Sequence, residues 1–206
     1  MGKGMFSLLE LKTPTDKLQS ECDVRFICVK NEKLCKIRKR YYSKKRKENS
    51  NYGFFPFFCV LIVKNTQKMY LAGALHDIGK MAIGNEILEK PDKLTDDEFS
   101  KMKNHAGYTY LILSEVNDFE DIRDWAAFHH EKLNGKGYPF GKTADELNEQ
   151  ERMMACVDIY QALTEDRPYK KGLSHEKTCD ILDDMAHKDF IDSDISKTIR
   201  ECFGRT

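Results

Sequence analysis

Apolar residues recur at intervals of three and four along most of the sequence between residues 66 and 203. This spacing places them on one face of an α-helix, where they can pack against a core. No stretch of these residues alternates between apolar and polar with the period of two that a half-buried strand requires. The sequence therefore predicts an all-α helical bundle, preceded by an irregular N-terminal segment.

The predicted helical faces carry polar residues among the apolar ones. The pattern predicts helices within NTQKMYLAGALHDIGK, TDDEFSKMKNHAGYTYLILSEV, DFEDIRDWAAFHHE and NEQERMMACVDIYQALTED. Their faces contain Met69, Ala72, Leu75 and His76; then Phe99, Met102, His105, Ala106, Thr109 and Leu113; then Ile122, Trp125, Ala126 and His129; and Met154, Val157, Asp158, Gln161 and Ala162.

Residues that favour helix ends support these predictions. Thr95 and Glu98 have the spacing of a capping box, in which each side chain bonds to the other's backbone N–H. Ser174 and Ser193 precede two further helical stretches, so we expect them to act as N-caps. Gly79 is expected to end the first helix.

The N-terminal quarter differs in charge from the rest. The chain has 34 basic and 34 acidic residues, but nine of the basic ones lie between Lys33 and Lys47, which leaves 25 against 34 elsewhere. We therefore divide the chain into a basic segment, 1–52, and a helical domain, 53–206. The basic run is typical of a solvated linker; the alternative is contact with nucleic acid or an anionic membrane surface, with Tyr41 and Tyr42 stacking on bases.

Cysteine usage and apolar runs bear on the compartment. The seven cysteines include no C-x-x-C pair, which indicates free thiols in a reducing environment. The run FFPFFCVLIV, residues 54–63, is too short for a transmembrane segment, which needs about 18 apolar residues. The first residues do not resemble a secretory signal. These features predict a cytoplasmic protein with no transmembrane segment.

Six chemically active side chains fall on or beside the predicted helices, mostly on the apolar faces. Burying an uncompensated polar group is costly, so this many imidazoles and carboxylates in one core are best explained by a bound metal. Taken singly, an inward histidine is more often a core residue with satisfied hydrogen bonds. Imidazole and carboxylate ligands suit Fe, Mn, Zn, Ni or Co alike, so the metal's identity stays open. The candidate ligands are His76, Asp77, His105, His129, His130 and Asp158.

The adjacent pair His76 and Asp77 constrains the site further. Neighbours on a helix point about 100° apart, so both reach one region only where the helix ends or where two metals lie side by side. A carboxylate has two oxygens and can bridge two ions, whereas an imidazole cannot. We therefore predict two divalent ions bridged by Asp77. The other ligands divide into His76 and Asp158 for one ion and His105, His129 and His130 for the other.

Four motifs together resemble the HD-GYP family. They are LHDIGK at 75–80, KNH ending at His105, HHEKLNGKGYP at 129–139 and DIYQALTEDRPYK at 158–170. The resemblance runs from about residue 66 to about residue 189. It implies the HD-domain bundle and a metal-dependent phosphodiesterase that hydrolyses cyclic di-GMP to pGpG, with further cleavage to GMP left open. The implied mechanism uses a hydroxide activated by two metals.

The resemblance also implies roles for individual residues. Asp77 and Lys80 are the expected catalytic residues, and the Gly-Tyr-Pro turn is expected to shape the pocket rim, with glycines that permit positive φ and close backbone approach. The alternatives are that this turn only breaks a helix and that Lys170 is an ordinary surface residue. Substrate contacts are expected at Lys80, Gly137, Tyr138, Pro139, Arg167 and Lys170.

One departure from the family leaves the function open. Family members usually supply a further histidine upstream of the HD pair, but no histidine precedes His76 here, and Cys59 or Glu48 could substitute for it. One interpretation is a phosphodiesterase with a rearranged metal site. The other is a catalytically weakened module that binds cyclic dinucleotides or protein signalling partners.

Overall fold

The computed structural model describes residues 66–166 and 171–203. Within these residues the regular secondary structure is helical, with no strand and one isolated antiparallel bridge between Asn134 and Thr143. The predicted all-α class is therefore confirmed. The helices are α1 at 66–75, α2 at Asn85–Leu88, α3 at Asp96–Ser114, α4 at Glu120–Ala127, α5 at Glu149–Thr164, α6 at His175–His187 and α7 at Ser193–Phe203, with 3-10 turns at Ile78–Ala82 and Ala144–Glu146.

The helices enclose one principal core. Helix α3 contacts the 3-10 turn Ile78–Ala82 and α4, α4 contacts α5, and α5, α6 and α7 pack on one another. Burying one large apolar side chain contributes roughly 1.5–3 kcal/mol, so this core holds the elements that carry the polar cluster. The core includes Met69, Ala72, Leu113, Ile122, Trp125, Ala126, Met153, Val157, Cys179, Leu182, Ile195 and Ile199.

The helix caps follow the predictions except at the last helix. The Thr95 hydroxyl accepts from the backbone N–H of Glu98, whose carboxylate accepts from the backbone N–H of Thr95. The Ser174 side chain also caps α6 as predicted. Ser193 is wrong as a cap, because it is the first residue of α7. Asp192 accepts two backbone N–H groups in its place, since a carboxylate one residue earlier reaches the first turn.

Two residues assigned to inward faces are exposed. Phe99 is 51% exposed, and the Lys103 ammonium lies 5.4 Å from the centre of its ring, so a cation–π contact replaces core packing. Ala162, near the end of α5, is also exposed and loses little burial energy because its side chain is one methyl. Spacing alone does not show which turns of a helix meet a neighbour.

Gly79 serves packing rather than helix termination. Helix α1 ends at residue 75, and Gly79 lies inside the following 3-10 turn. A Cβ atom at Gly79 would collide with the carbonyl oxygen of His105 and lie 2.5 Å from the backbone nitrogen of Thr109. The absence of a side chain therefore lets this turn lie directly against α3.

Several predictions fall outside the described residues. They concern the segment 1–52 with its basic run, the apolar run 54–63, Cys59 and Glu48, and the phosphate contacts Arg167 and Lys170. Among the described helices, none is both long enough and apolar enough to span a membrane.

Candidate metal centre

His76 and Asp77 lie in the turn that follows α1. Because the helix ends one residue before them, their side chains face a common region despite being adjacent. Asp77 Oδ2 lies 3.1 Å from His76 Nε2, and Asp77 Oδ1 lies 3.5 Å from His105 Nε2. The two oxygens of Asp77 thus face imidazoles from different elements.

Three further histidines come from α3 and from the end of α4. His105 is buried on α3, whereas His129 and His130 lie in the turn after Ala127 rather than on a helix as predicted. The Nε2 atoms of His105 and His129 are 3.4 Å apart. The His130 ring centre lies 4.0 Å from that of His129 and 5.1 Å from that of His105.

Asp158 on α5 completes the cluster. Its Oδ1 lies 3.7 Å from His76 Nε2. The structure therefore brings all six predicted ligands together. Ligand atoms of two subsets lie within 4.8 Å of one another, and His129 belongs to both, whereas the sequence assigned it to one ion only. The subsets are His105, His129 and His130, and His76, Asp77 and His129.

The imidazole rings are oriented by backbone carbonyl groups. Each of three histidines places its Nδ1 against the carbonyl oxygen three residues earlier: His76 with Gly73 at 2.9 Å, His105 with Met102 at 2.7 Å and His129 with Ala126 at 2.6 Å. A carbonyl oxygen only accepts, so Nδ1 carries the proton and Nε2 presents its lone pair to the cluster.

This arrangement fits a bound metal. Without a cation, the lone pairs of His105 Nε2 and His129 Nε2 would face each other and the carboxylate of Asp77, which is repulsive. A divalent cation among these atoms would turn the repulsion into coordination, and an N–H to carbonyl bond behind each ring is a common support for histidine ligands. The donor atoms are imidazole nitrogen and carboxylate oxygen, which suit transition metals.

Burial keeps these imidazoles neutral. It lowers the pKa of His105, lowers that of His129 well below the usual value, and lowers that of His130 to about 4. Neutral imidazole is the form that coordinates a metal. Burial alone would raise the pKa of Asp77, but the adjacent His76 ring and the Lys80 ammonium outweigh it, so this pKa lies well below the usual value and Asp77 stays ionised.

Lys80 faces the cluster from the 3-10 turn. Its ammonium donates to Asp77 Oδ2 at 2.8 Å, and the side chain is 43% exposed. Lys80 therefore neutralises part of the charge on the candidate bridging carboxylate. The predicted contact between Lys80 and a substrate phosphate remains a prediction.

Thr109 ties the turn that bears His76 to α3. This fully buried hydroxyl donates to the carbonyl oxygen of His76 at 2.9 Å and accepts from the N–H of Gly79 at 3.0 Å. Its position among apolar residues on one helical face was visible in the sequence, but a buried threonine there gives no indication of its partner.

Glu131 organises the turn that contains Gly-Tyr-Pro. Its buried carboxylate accepts backbone N–H groups from Phe140, Gly141 and Lys142 at 2.7, 3.1 and 2.9 Å. No sequence motif assigned Glu131 a role. An acidic residue between paired histidines and a glycine-rich turn was the available signal, since turn N–H groups shielded from water need an acceptor.

The glycines of this turn have different reasons to be there. Gly135 has φ +74, a left-handed conformation that favours glycine. A Cβ atom at Gly137 would collide with the backbone of Glu131 and Lys132, so Gly137 permits close approach instead. The Tyr138–Pro139 peptide bond is cis.

Tyr138 forms part of the wall of the cluster. Its ring centre lies 4.7 Å from that of His130 and 6.5 Å from that of His105. Burial, the largest cause, raises the pKa of Tyr138 to about 12, so the phenol remains protonated. The Gly-Tyr-Pro turn, which was predicted to be a pocket rim, thus lies beside the candidate metal ligands.

Fold and site together define an all-α protein with a buried imidazole–carboxylate cluster suited to a transition metal. A family comparison matches residues 62–195, more than half of the chain, to the family described as HD domain. The chain belongs to the HD-domain family, and the HD-GYP resemblance is confirmed by the curated relatives described next.

Curated relatives include cyclic dinucleotide phosphodiesterases. The chain is 37% identical over 129 residues to 3′3′-cGAMP-specific phosphodiesterase 3 of Vibrio cholerae, covering 62% of this chain and 28% of the relative. It is 46% identical over 103 residues to a cyclic di-GMP phosphodiesterase of Pseudomonas aeruginosa, covering 50% and 25%. The chain thus spans less than a third of the length of these relatives.

A solved structure shares the fold. An HDG"Y"P protein from Bdellovibrio bacteriovorus matches with a TM-score of 0.58 at 13% identity, covering 85% of this chain and 51% of that one. At this identity the likeness shows the architecture alone.

Proposed function

We propose that this protein is a metal-dependent phosphodiesterase that hydrolyses cyclic di-GMP to pGpG. The observation that carries the proposal is the convergence of three imidazole Nε2 atoms on the Asp77 carboxylate, in rings whose Nδ1 atoms are held by the backbone, with Asp158 Oδ1 3.7 Å from the Nε2 atom of His76. The relatives named for cyclic di-GMP and 3′3′-cGAMP support the substrate class.

Two divalent ions would be held by this cluster. His76, Asp77 and Asp158 would be the ligands of one ion, and Asp77, His105, His129 and His130 those of the other, because one imidazole nitrogen binds a single ion whereas the Asp77 carboxylate offers two oxygens. Such ions lower the pKa of water and stabilise negative charge on a phosphoryl group in line for displacement. In the proposed reaction one water is consumed, and the 3′-oxygen leaves phosphorus with a proton to give the linear product.

The protein's own groups orient the site and balance its charge. Backbone carbonyls fix the imidazole rings, so ligand directions are set before substrate arrives. Lys80, paired with Asp77, supplies positive charge at the edge of the cluster for a dianionic substrate. Arg167 and Lys170 remain the proposed phosphate contacts beyond the described residues, and Glu131 holds the turn bearing Tyr138 beside His130.

A specific observation supports a second candidate function. No histidine precedes His76 in this sequence, and the described residues supply no further imidazole in place of the one that the family resemblance implies. A site with weaker metal affinity would bind a cyclic dinucleotide without turning it over. The protein would then act as a binding module for signalling.

One experiment separates the two functions. The purified chain is reconstituted with Mn²⁺ or Fe²⁺, its bound metal is quantified, and it is incubated with cyclic di-GMP. The phosphodiesterase predicts about two ions per chain and the appearance of pGpG. Binding of cyclic di-GMP without product would favour the binding module, and neither binding nor product would contradict both functions.

A further inference from the structure

A groove lined in part by Tyr138 lies near the candidate metal centre. It has a volume of about 550 Å³ and lies between α3 and the turn 138–140. This volume falls within the range of small-molecule sites, roughly 300–1,000 Å³. Asn104, Gly107, Tyr108 and Leu111 line its helical side at intervals of three and four, and Tyr138 and Phe140 line the other side.

The lining combines flat aromatic surface with a polar edge. Phe140 is 54% exposed, and its ring is fixed at 5.1 Å from Tyr110, which also borders the groove. Leu111 is 62% exposed and adds aliphatic surface. Ser100, Lys103 and Asn104 contribute a hydroxyl, an ammonium and an amide. Planar heterocycles stack on such rings, and an amide can hydrogen-bond to their edges.

The groove and the candidate metal centre share one residue, Tyr138. The Tyr138 ring lies 4.7 Å from His130, and Tyr138 also lines the groove. A dinucleotide whose phosphate lies at the metal cluster extends about one nucleoside to either side of that phosphate. One base would therefore be within reach of Tyr138 and of the groove that Tyr138 lines.

We propose that this groove binds a purine base of the cyclic dinucleotide, with Phe140 providing a stacking surface and Asn104 facing the base edge. The inference rests on the proposed function for its substrate class. It adds a determinant of base recognition on α3 and on the turn after Pro139.

Gly107 offers a direct test because it lies in the floor of the groove. A Cβ atom there meets only the Pro139 side chain, at 3.8 Å, an ordinary contact. Gly107→Leu should therefore fold, since leucine also favours helix over glycine, while its side chain fills the groove. Lys101→Leu is the matched control, because it adds the same side chain to an exposed position of α3 outside the groove.

The measurement is the ratio of kcat/KM for cyclic di-GMP to kcat/KM for bis(p-nitrophenyl) phosphate, a phosphodiester without a purine. Gly107→Leu should lower this ratio at least about tenfold, the usual scale for losing a fitted group in a pocket, and Lys101→Leu should leave it at the wild-type value. Phe140→Ala, which removes an exposed ring, should also lower this ratio about tenfold. If Gly107→Leu does not fold, the ratio measured for Phe140→Ala tests the proposed base-binding groove instead.

Binding measurements separate this inference from the proposed function. If the wild-type protein hydrolyses no cyclic di-GMP, the proposed function fails, and calorimetric titration with cyclic di-GMP replaces turnover. Binding that is at least tenfold weaker in Gly107→Leu than in Lys101→Leu would still support the groove. An unchanged ratio or unchanged affinity in the folded Gly107→Leu protein would overturn the inference, as would a wild-type protein that does not bind cyclic di-GMP.

Discussion

The cluster around His175 and the candidate metal centre both contain histidines that contact backbone carbonyl oxygens through one ring nitrogen. They differ in the group that the other ring nitrogen contacts. At His175, Nδ1 contacts the Tyr160 hydroxyl at 3.0 Å and Nε2 contacts the Arg200 carbonyl oxygen at 3.1 Å. In the candidate metal centre, the Nδ1 atoms of His76, His105 and His129 meet carbonyl oxygens, but their Nε2 atoms point at one another and at a carboxylate.

This difference distinguishes a structural histidine from a candidate ligand. The ring of His175 has a donor on one side and an acceptor on the other, so a neutral imidazole satisfies both. The rings at the metal centre have satisfied N–H groups and lone pairs directed toward other lone pairs. The direction of the second nitrogen, rather than burial or neighbouring residue types, marks the candidate site for a cation.

The largest expected effect comes from removing the carboxylate of Asp77 from the candidate metal centre. Asp77→Ala should lower metal content at both positions, because its two oxygens face different imidazoles. We expect cyclic di-GMP turnover to fall roughly 10²–10³-fold or more, the loss that follows removal of one preorganised electrostatic contact. Elemental analysis and turnover assays measure both.

Asp183→Ala provides the control for that variant. The Asp183 carboxylate accepts hydrogen bonds from Arg200 and Ser196, near the cluster around His175. Its loss should therefore leave the metal content unchanged. Wild-type metal content in Asp77→Ala would exclude the bridging role.

A paired substitution compares the two clusters directly. His105→Gln should weaken metal affinity by at least about 10–100-fold, a range reported even for groups that only support ligands. His175→Gln should leave affinity unchanged and lower the free energy of unfolding by about 1–2 kcal/mol through two lost hydrogen bonds. Chelator competition and denaturant titration give the two values. Equal losses of metal affinity would remove the distinction between the clusters.

The pH dependence of the metal-free protein provides a third comparison. Burial lowers the pKa of His130 to about 4, whereas an unfolded histidine titrates near about 6.5. Between these pH values the unfolded chain binds more protons than the folded chain. The contribution of this group to the free energy of unfolding is therefore fully present above about pH 6.5 and is lost as the pH falls toward 4. The loss is at most about 1.4 kcal/mol per pH unit. Denaturant titrations of the wild type and of His130→Gln at several pH values should show that the free energy of unfolding depends less steeply on pH in the variant. Identical slopes would contradict this account.

The smallest expected effect concerns Thr109, which touches no candidate ligand side chain. Thr109→Val keeps the volume but leaves the Gly79 N–H and the His76 carbonyl without this partner, and should lower the free energy of unfolding by about 1 kcal/mol. Metal affinity should fall a few-fold because the turn bearing His76 is less well held. Thr109→Ser should restore the affinity, and a failure of serine to do so would assign the effect to packing.

Sequence patterns were sufficient for the parts of this protein that depend on local chemistry. Helical spacing predicted the all-α class, and the spacing of Thr95 and Glu98 predicted the capping box. The motifs around His76 and His129 carried the family resemblance. They were insufficient where an element's neighbour matters. Phe99 has the spacing of a core residue yet is exposed, and Ser193 has the chemistry of a cap yet lies inside its helix.

The sequence by itself determined which side chains were available to bind a metal, because imidazole and carboxylate chemistry belongs to the residue. Only the tertiary structure decided that His129 lies in both groups of candidate ligands, that Glu131 holds the Gly-Tyr-Pro turn, and that a groove opens beside Tyr138. The physical reason is that ring direction and group separation depend on where helices end and how closely they pack. Those quantities arise from contacts between residues far apart in the chain.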